Sequence, residues 1–106
     1  MTTVPLPKDA LLVELRPEAL TFETRQCLLP GTLVSFNLVM EGRPLRLECP
    51  TTTCLVLSKD RSGYLYESRV SLSVLPESDR QLIVLFIGKG RGSPSLTPAP
   101  LAKKRA

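Results

Sequence analysis

Among side chains able to act as nucleophile, base or metal ligand, the sequence holds Cys27, Cys49 and Cys54, ten carboxylates and no histidine. Without an imidazole, a histidine general base, a Ser-His-Asp triad and a Cys2His2 zinc site are excluded within this chain. A single Cys-x4-Cys pair with a distant third cysteine supplies too few thiolates for a structural zinc site. The odd count argues against a disulfide framework. If residues 49–54 are extended they span about 16 Å, against the roughly 4.4 to 6.8 Å that a disulfide tolerates between Cα atoms, so those two thiols meet only across a turn. All three cysteines are therefore expected to be small buried hydrophobes. Asp60, Glu67 and Asp79 lack the paired spacing of an acid and a base, and Tyr64 and Tyr66 share an apolar strand face, which marks them as core. No catalytic residue, metal ligand or cofactor is assigned, and the chain is expected not to be an enzyme.

The arginines and lysines carry the remaining chemistry, and their placement decides what it is. The net charge is +4 over 106 residues, but residues 88–106 hold five basic residues and no acid, while residues 1–87 hold nine basic and ten acidic ones. The basic character belongs to the tail, and the rest is nearly neutral. The tail is rich in Gly, Pro and Ser and has little apolar surface to offset its ordering entropy, so it is expected to be disordered. Lys103, Lys104 and Arg105 would then form an anion-binding or docking arm, or a solvated end that aids solubility.

Positioning any such residues falls to one small domain. The length allows a single core, and with 5% aromatic residues and no Trp, aliphatic side chains must fill it. Residues 32–40 alternate Val34, Phe36, Leu38 and Met40 with Leu33, Ser35, Asn37 and Val39, the period of a strand with one buried face. Glu41, Gly42, Arg43 and Pro44 form a turn, and Leu45, Leu47 and Cys49 resume the alternation, giving a β-hairpin. Pro50 cannot donate to a central ladder and marks a bulge or break before the β-branched residues 51–57. Residues 58–63 read as a polar turn. A strand over residues 64–74 follows, with Tyr64, Tyr66, Val70, Leu72 and Val74 on one face and Ser68 as the polar exception. Upstream, Leu11, Val13 and Leu15 make one short alternating set, and Leu20 with Phe22 a second. Ser78 with Gln81 has capping-box spacing, acids lie at the start, and Gly88 with Lys89 lies at the end, so a short helix is expected with Leu82, Leu85 and Phe86 on its face. A strand over residues 82–87 is the alternative. That apolar run is far below the roughly 18 residues a membrane span needs, and the first ten residues have no apolar signal core, so a cytoplasmic location is expected.

This order of elements resembles a PilZ domain, the small β-barrel of bacterial cyclic di-GMP signalling. The likeness covers residues 9–88 and rests on ELRPEALTFET with LLPGTLVSFNLVMEGRPLRLE, on CLVLSKDRSGYLYESRVSL, and on LPESDRQLIVLFI. It implies an all-β fold: a small antiparallel β-barrel of about six strands with one short C-terminal helix, flanked by a flexible N-terminus (residues 1–8) and the disordered basic tail (residues 89–106). The family's (Asp/Asn)-x-Ser-x-x-Gly turn falls on residues 14–19, where Glu14 keeps a carboxylate, Arg16 replaces a small hydroxyl, and Ala19 puts a Cβ where glycine permits positive φ. The family's Arg-x-x-x-Arg motif grips phosphates with two planar forks, but no arginine precedes Arg16 and only Lys8 is basic before it. Arg16 and Arg25 are the candidates for a rebuilt site. Losing two charge-assisted contacts and the turn removes on the order of 5 kcal/mol of binding, a factor above a thousand.

The resemblance therefore implies a non-catalytic regulatory module in cyclic di-GMP-linked signalling that works through a protein partner or self-association, with nucleotide binding lost or weakened. Leu33, Val39 and Leu65 are its candidate water-facing contact residues. Two other functions are weighed: a cyclic di-GMP sensor using Glu14, Arg16, Ala19 and Arg25, and a small nucleic-acid-binding barrel with a basic arm. The latter lacks a basic stripe with interleaved aromatics.

Overall fold

The alternation in residues 33–40 becomes strand β4 (Leu33–Met40), with Val34, Phe36 and Leu38 fully buried. Met40 pairs with Arg43 across the two-residue turn Glu41-Gly42, in which both residues have positive φ (53° and 76°). Such a turn twists with its strands and sets the hairpin register. The return strand, β5 (Arg43–Asp60), is 18 residues long. It pairs with β4 as far as Pro50, opposite Leu33, and from Thr51 onward with β6 (Gly63–Ser71). Proline has no N–H for a ladder, so the change of partner falls where it stands, followed by a bulge between Thr51 and Thr53. Pro50 thus bends the strand without ending it. The expected six-residue turn over 58–63 is also corrected: pairing runs on to Asp60 and Gly63, leaving only Arg61 and Ser62 between the strands.

A computed structural model describes residues 3–90 and 92–99, and its seven strands form one sheet. The order is β1 (Thr3–Pro5), β4, β5, β6, β3 (Ala19–Thr24), β2 (Leu11–Leu15), and β7 (Ser95–Pro98) lies beside β4 along the edge that β1 also uses. All pairings are antiparallel except β1 with β4. The expected six-stranded barrel is corrected to a seven-stranded open sheet, since no ladder among the described residues joins β2 to β1 or β7. A shallow groove runs along that seam, between residues 12–15 and residues 92–94, and Phe86 and Ile87 of the helix stand in it. The edge strands have only three to five residues, which limits edge pairing without closure.

Both terminal expectations change as well. Residues 3–5 are a strand and Leu6 is buried, so part of the segment read as a flexible N-terminus belongs to the fold. Residues 95–98, read as disordered tail, pair with Phe36–Val39 side by side in the sheet, and the Ser35 hydroxyl donates to the Ala99 carbonyl at 2.6 Å. Composition weighs apolar side chains and takes no account of the backbone hydrogen bonds that the open edge of β4 offers. Lys103, Lys104 and Arg105 lie outside the described residues.

The core joins Leu20 and Phe22 of β3, the inward face of β4, Leu47 and Cys49 of β5, Val70 of β6, Leu72, and Ile83 of helix α1 (Glu77–Lys89). The helix begins after Pro76, without a side-chain cap, so Ser78 lies inside it and is not the cap its spacing suggested. It ends at Gly90, in the left-handed conformation, whose N–H reaches the Ile87 carbonyl at 3.2 Å; Gly88 is helical. Its buried side chains are Ile83 and Phe86, with Ile87 packed beside them, whereas Leu82 and Leu85 face outward. A helix apolar on every side does not reveal its inner face by pattern. Among the described residues no helix is long and apolar enough to cross a membrane.

Candidate functional site

Glu14, Arg16 and Ala19 lie on the β2–β3 hairpin, where Leu15 pairs with Leu20 and the Arg16 N–H donates to the Ala19 carbonyl at 2.9 Å. The Arg16 guanidinium sits 3.0 Å from the Glu14 carboxylate. Arg25 follows the opposite end of β3. Six strand residues separate the two arginines, a backbone distance of about 17 Å along β3. Each also turns to its own acid. Arg25 grips Asp60 with both terminal nitrogens, at 2.9 and 2.8 Å. This is the planar fork that a phosphate would otherwise receive. The hydrogen bond to Asp60 raises the Arg25 pKa, and the same bond, with the Ser62 N–H, holds the Asp60 carboxyl below the usual range. The structure therefore does not gather Glu14, Arg16, Ala19 and Arg25 into one anion pocket.

Asp9 completes the Arg25 corner. It accepts from the Thr24 hydroxyl at 2.6 Å and from the Arg25 N–H at 2.7 Å. Desolvation pushes its carboxyl up, but those two hydrogen bonds, together with its own backbone N–H and the Arg25 charge, outweigh it and leave the pKa lowered. Nothing in the sequence spacing ties residue 9 to 24, or 25 to 60. The antiparallel β2–β3 pairing, with Leu11 opposite Glu23, carries Asp9 to Thr24, and the strand order β5, β6, β3 brings Arg25 to Asp60.

The aromatic and thiol expectations divide. Tyr64, read as core, is 44% exposed near the tip of the β5–β6 hairpin, and Tyr66 is half-buried; their ring centroids lie 6.1 Å apart, and the Lys59 ammonium sits 5.3 Å from the Tyr64 ring. That end of the hairpin extends past the core, so strand alternation there does not report burial. Cys49 is fully buried, and desolvation, with lesser effects from Glu48 and Asp79, pushes its thiol up to about 12. Cys27 is exposed and Cys54 half-buried, with their sulfurs 4.0 Å apart, which corrects the expectation that all three cysteines are core. Cys27 comes from the segment after β3 and Cys54 from β5, a meeting that depends on the same strand order. Among the described residues no three Cys, Asp or Glu side chains converge to hold a metal ion.

Leu33, Val39 and Leu65 are half-buried, so they do not form the water-facing patch expected of them. β1 and β7 pair along one edge of β4, with Thr3 beside Leu33 and Ser95 beside Val39. Exposed apolar side chains lie on β2 (Leu11, Val13), at Leu29, on β5 (Leu55, Val56, Leu57), at Val74 and on α1, where Leu82 (50%), Val84 (48%) and Leu85 (61%) face outward. A groove of about 670 Å³ separates this face from the β4–β5 turn, with Met40 and Leu45 on one wall and Leu82, Leu85 and Phe86 on the other. A second hollow, of about 340 Å³, lies on the other flank between Pro17 and Val84. The sequence signal for this surface is the unbroken apolar run over residues 82–87, too long for a helix that buries only one face. Comparison of the chain with family models, with curated proteins and with solved structures finds no match.

Proposed function

We propose that this chain is a non-catalytic contact module, PilZ-like in its element order and in its place in cyclic di-GMP-linked signalling, that acts by association through the outer face of α1. The carrying observation is the helix itself: Ile83, Phe86 and Ile87 pack inward while Leu82, Val84 and Leu85 stand in solvent beside an open groove. Contiguous exposed apolar surface of this kind marks an interaction site.

The occupant proposed is a second copy of the chain. α1 carries Glu77 and Asp79 in its first turn and Lys89 in its last. An antiparallel copy sets acidic start against basic end at both ends of the contact, while a parallel copy sets like charges together. The present partners, Arg80 for Glu77 at 3.6 Å and Glu41 for Lys89 at 3.5 Å, are exposed pairs of small worth and exchange readily. The sensor reading receives no comparable support, because Arg16 and Arg25 are engaged by Glu14 and Asp60 at opposite ends of β3.

Calorimetry tests both halves. Injecting concentrated protein into buffer gives a heat of dissociation that Leu85→Glu abolishes, and titrating cyclic di-GMP gives no saturable heat. A saturable nucleotide heat lost in Arg16→Ala or Arg25→Ala overturns the contact reading in favour of sensing.

A further inference from the structure

We infer that Cys27 and Cys54 form a redox-active dithiol, a modification site that takes low-molecular-weight disulfides and closes to an intramolecular disulfide. Their sulfurs are 4.0 Å apart, in van der Waals contact, although the residues stand 27 positions apart in the chain. Neither is sealed in the core: Cys27 is exposed and Cys54 half-buried, whereas Cys49 is fully enclosed. The pair is also held in place by its neighbours. Two residues before Cys27, Arg25 forks onto Asp60, and Asp60 and Cys54 belong to the same strand. This fork clasps the segment after β3 to β5 two residues from Cys27 and six positions along the strand from Cys54, which limits how far the Cys27 sulfur can move from β5.

The exchange has two steps. The Cys27 thiolate attacks one sulfur of the small disulfide, the disulfide bond breaks, and the departing thiolate takes up a proton. The Cys54 thiolate then attacks the Cys27 sulfur of the mixed disulfide and expels the second small thiol. The two protein thiols lose two electrons and two protons, and the small disulfide gains both. Roles follow from access: Cys27 is the entry point and Cys54 resolves. Burial and the neighbouring Cys54 thiol raise the Cys27 pKa, so the first step is slow near neutral pH and quickens as pH rises. The product ties the segment after β3 to β5 covalently, where Arg25 and Asp60 now hold it by charge.

The test equilibrates the full chain in buffers of reduced and oxidised glutathione, quenches with a maleimide and reads thiols by mass. The expected product has lost about 2 Da, has a Cys27–Cys54 cross-linked peptide, and keeps one thiol, Cys49, that reacts only after unfolding. Its melting temperature rises by on the order of 10 °C, because the bond closes a long loop in the unfolded chain. Cys54→Ser, at a half-exposed position, is expected to stop at a stable glutathione adduct on Cys27. A persistent adduct on Cys27 in the native chain, or Cys27 and Cys54 both free in oxidised glutathione at pH 9, overturns the inference.

Discussion

Ser35→Ala probes the least expected packing in the fold. Ser35 lies on the face of β4 that alternation assigns to solvent, yet it is fully buried, and its hydroxyl donates to the Ala99 carbonyl at 2.6 Å. Ala99 is itself buried, so the carbonyl has little access to water in the variant. The substitution keeps the Cβ and removes one hydroxyl, so the hydrophobic change is small. What remains is the lost bond and a carbonyl deprived of its donor, a cost of about 1 to 3 kcal/mol. For a domain of this size that lowers the melting temperature by roughly 5 to 20 °C. Urea unfolding followed by circular dichroism is the assay, with an unchanged denaturant slope expected. Ser71→Ala is the control, because the Ser71 hydroxyl shares its bond with Ser73 at the surface. A loss below about 0.5 kcal/mol for Ser35→Ala, with unaltered amide exchange over residues 95–99, refutes the argument that this segment is docked on β4.

Two other substitutions follow from burial. Because the Cys49 thiol titrates near 12 when folded and near 9 when exposed, the unfolded chain binds fewer protons between those values. Stability contributed by the protonated thiol is therefore complete below pH 9 and declines toward pH 12, by about 1.4 kcal/mol per pH unit, and urea midpoints at pH 9, 10 and 11 should show Cys49→Ala losing less than the native chain. The buried Ser68 hydroxyl has no hydrogen-bond partner among the described residues, so Ser68→Ala is expected to be neutral or stabilising by up to about 1 kcal/mol, as measured by the same unfolding curves; a loss above 1 kcal/mol would mean that the hydroxyl is bonded.

The features legible in the sequence are those made by neighbours along the chain. Val34, Phe36 and Leu38 alternate with period two and residues 41–44 read as a turn, so the β4–β5 hairpin follows from a dozen residues, although Arg43 and Pro44 already pair in β5 and only Glu41-Gly42, with positive φ, makes the turn. Helix α1 is recognisable by its acidic start and by Gly88 with Lys89 near its end, although Gly88 is helical and Gly90 ends the helix. Its orientation is not, because Leu82, Ile83, Val84, Leu85 and Phe86 are all apolar and only the sheet decides which two are buried. Strand β7 escapes a reading by composition because a short segment rich in proline and serine holds its place largely by backbone bonds to β4. The Arg25–Asp60 fork and the Cys27–Cys54 pair depend on long-range strand order, and no local spacing encodes that. The candidate ligand positions rest on a motif, and the sheet sets Arg16 and Arg25 at opposite ends of one strand.

The outer face of α1 is the centre of the functional account, and sedimentation equilibrium at tens of micromolar tests it most directly. The account predicts a molar mass approaching twice 11.7 kDa for the native chain and the single-chain value for Leu85→Glu. A native chain that stays at 11.7 kDa across the concentration range, or a Leu85→Glu variant that associates as the native chain does, contradicts it.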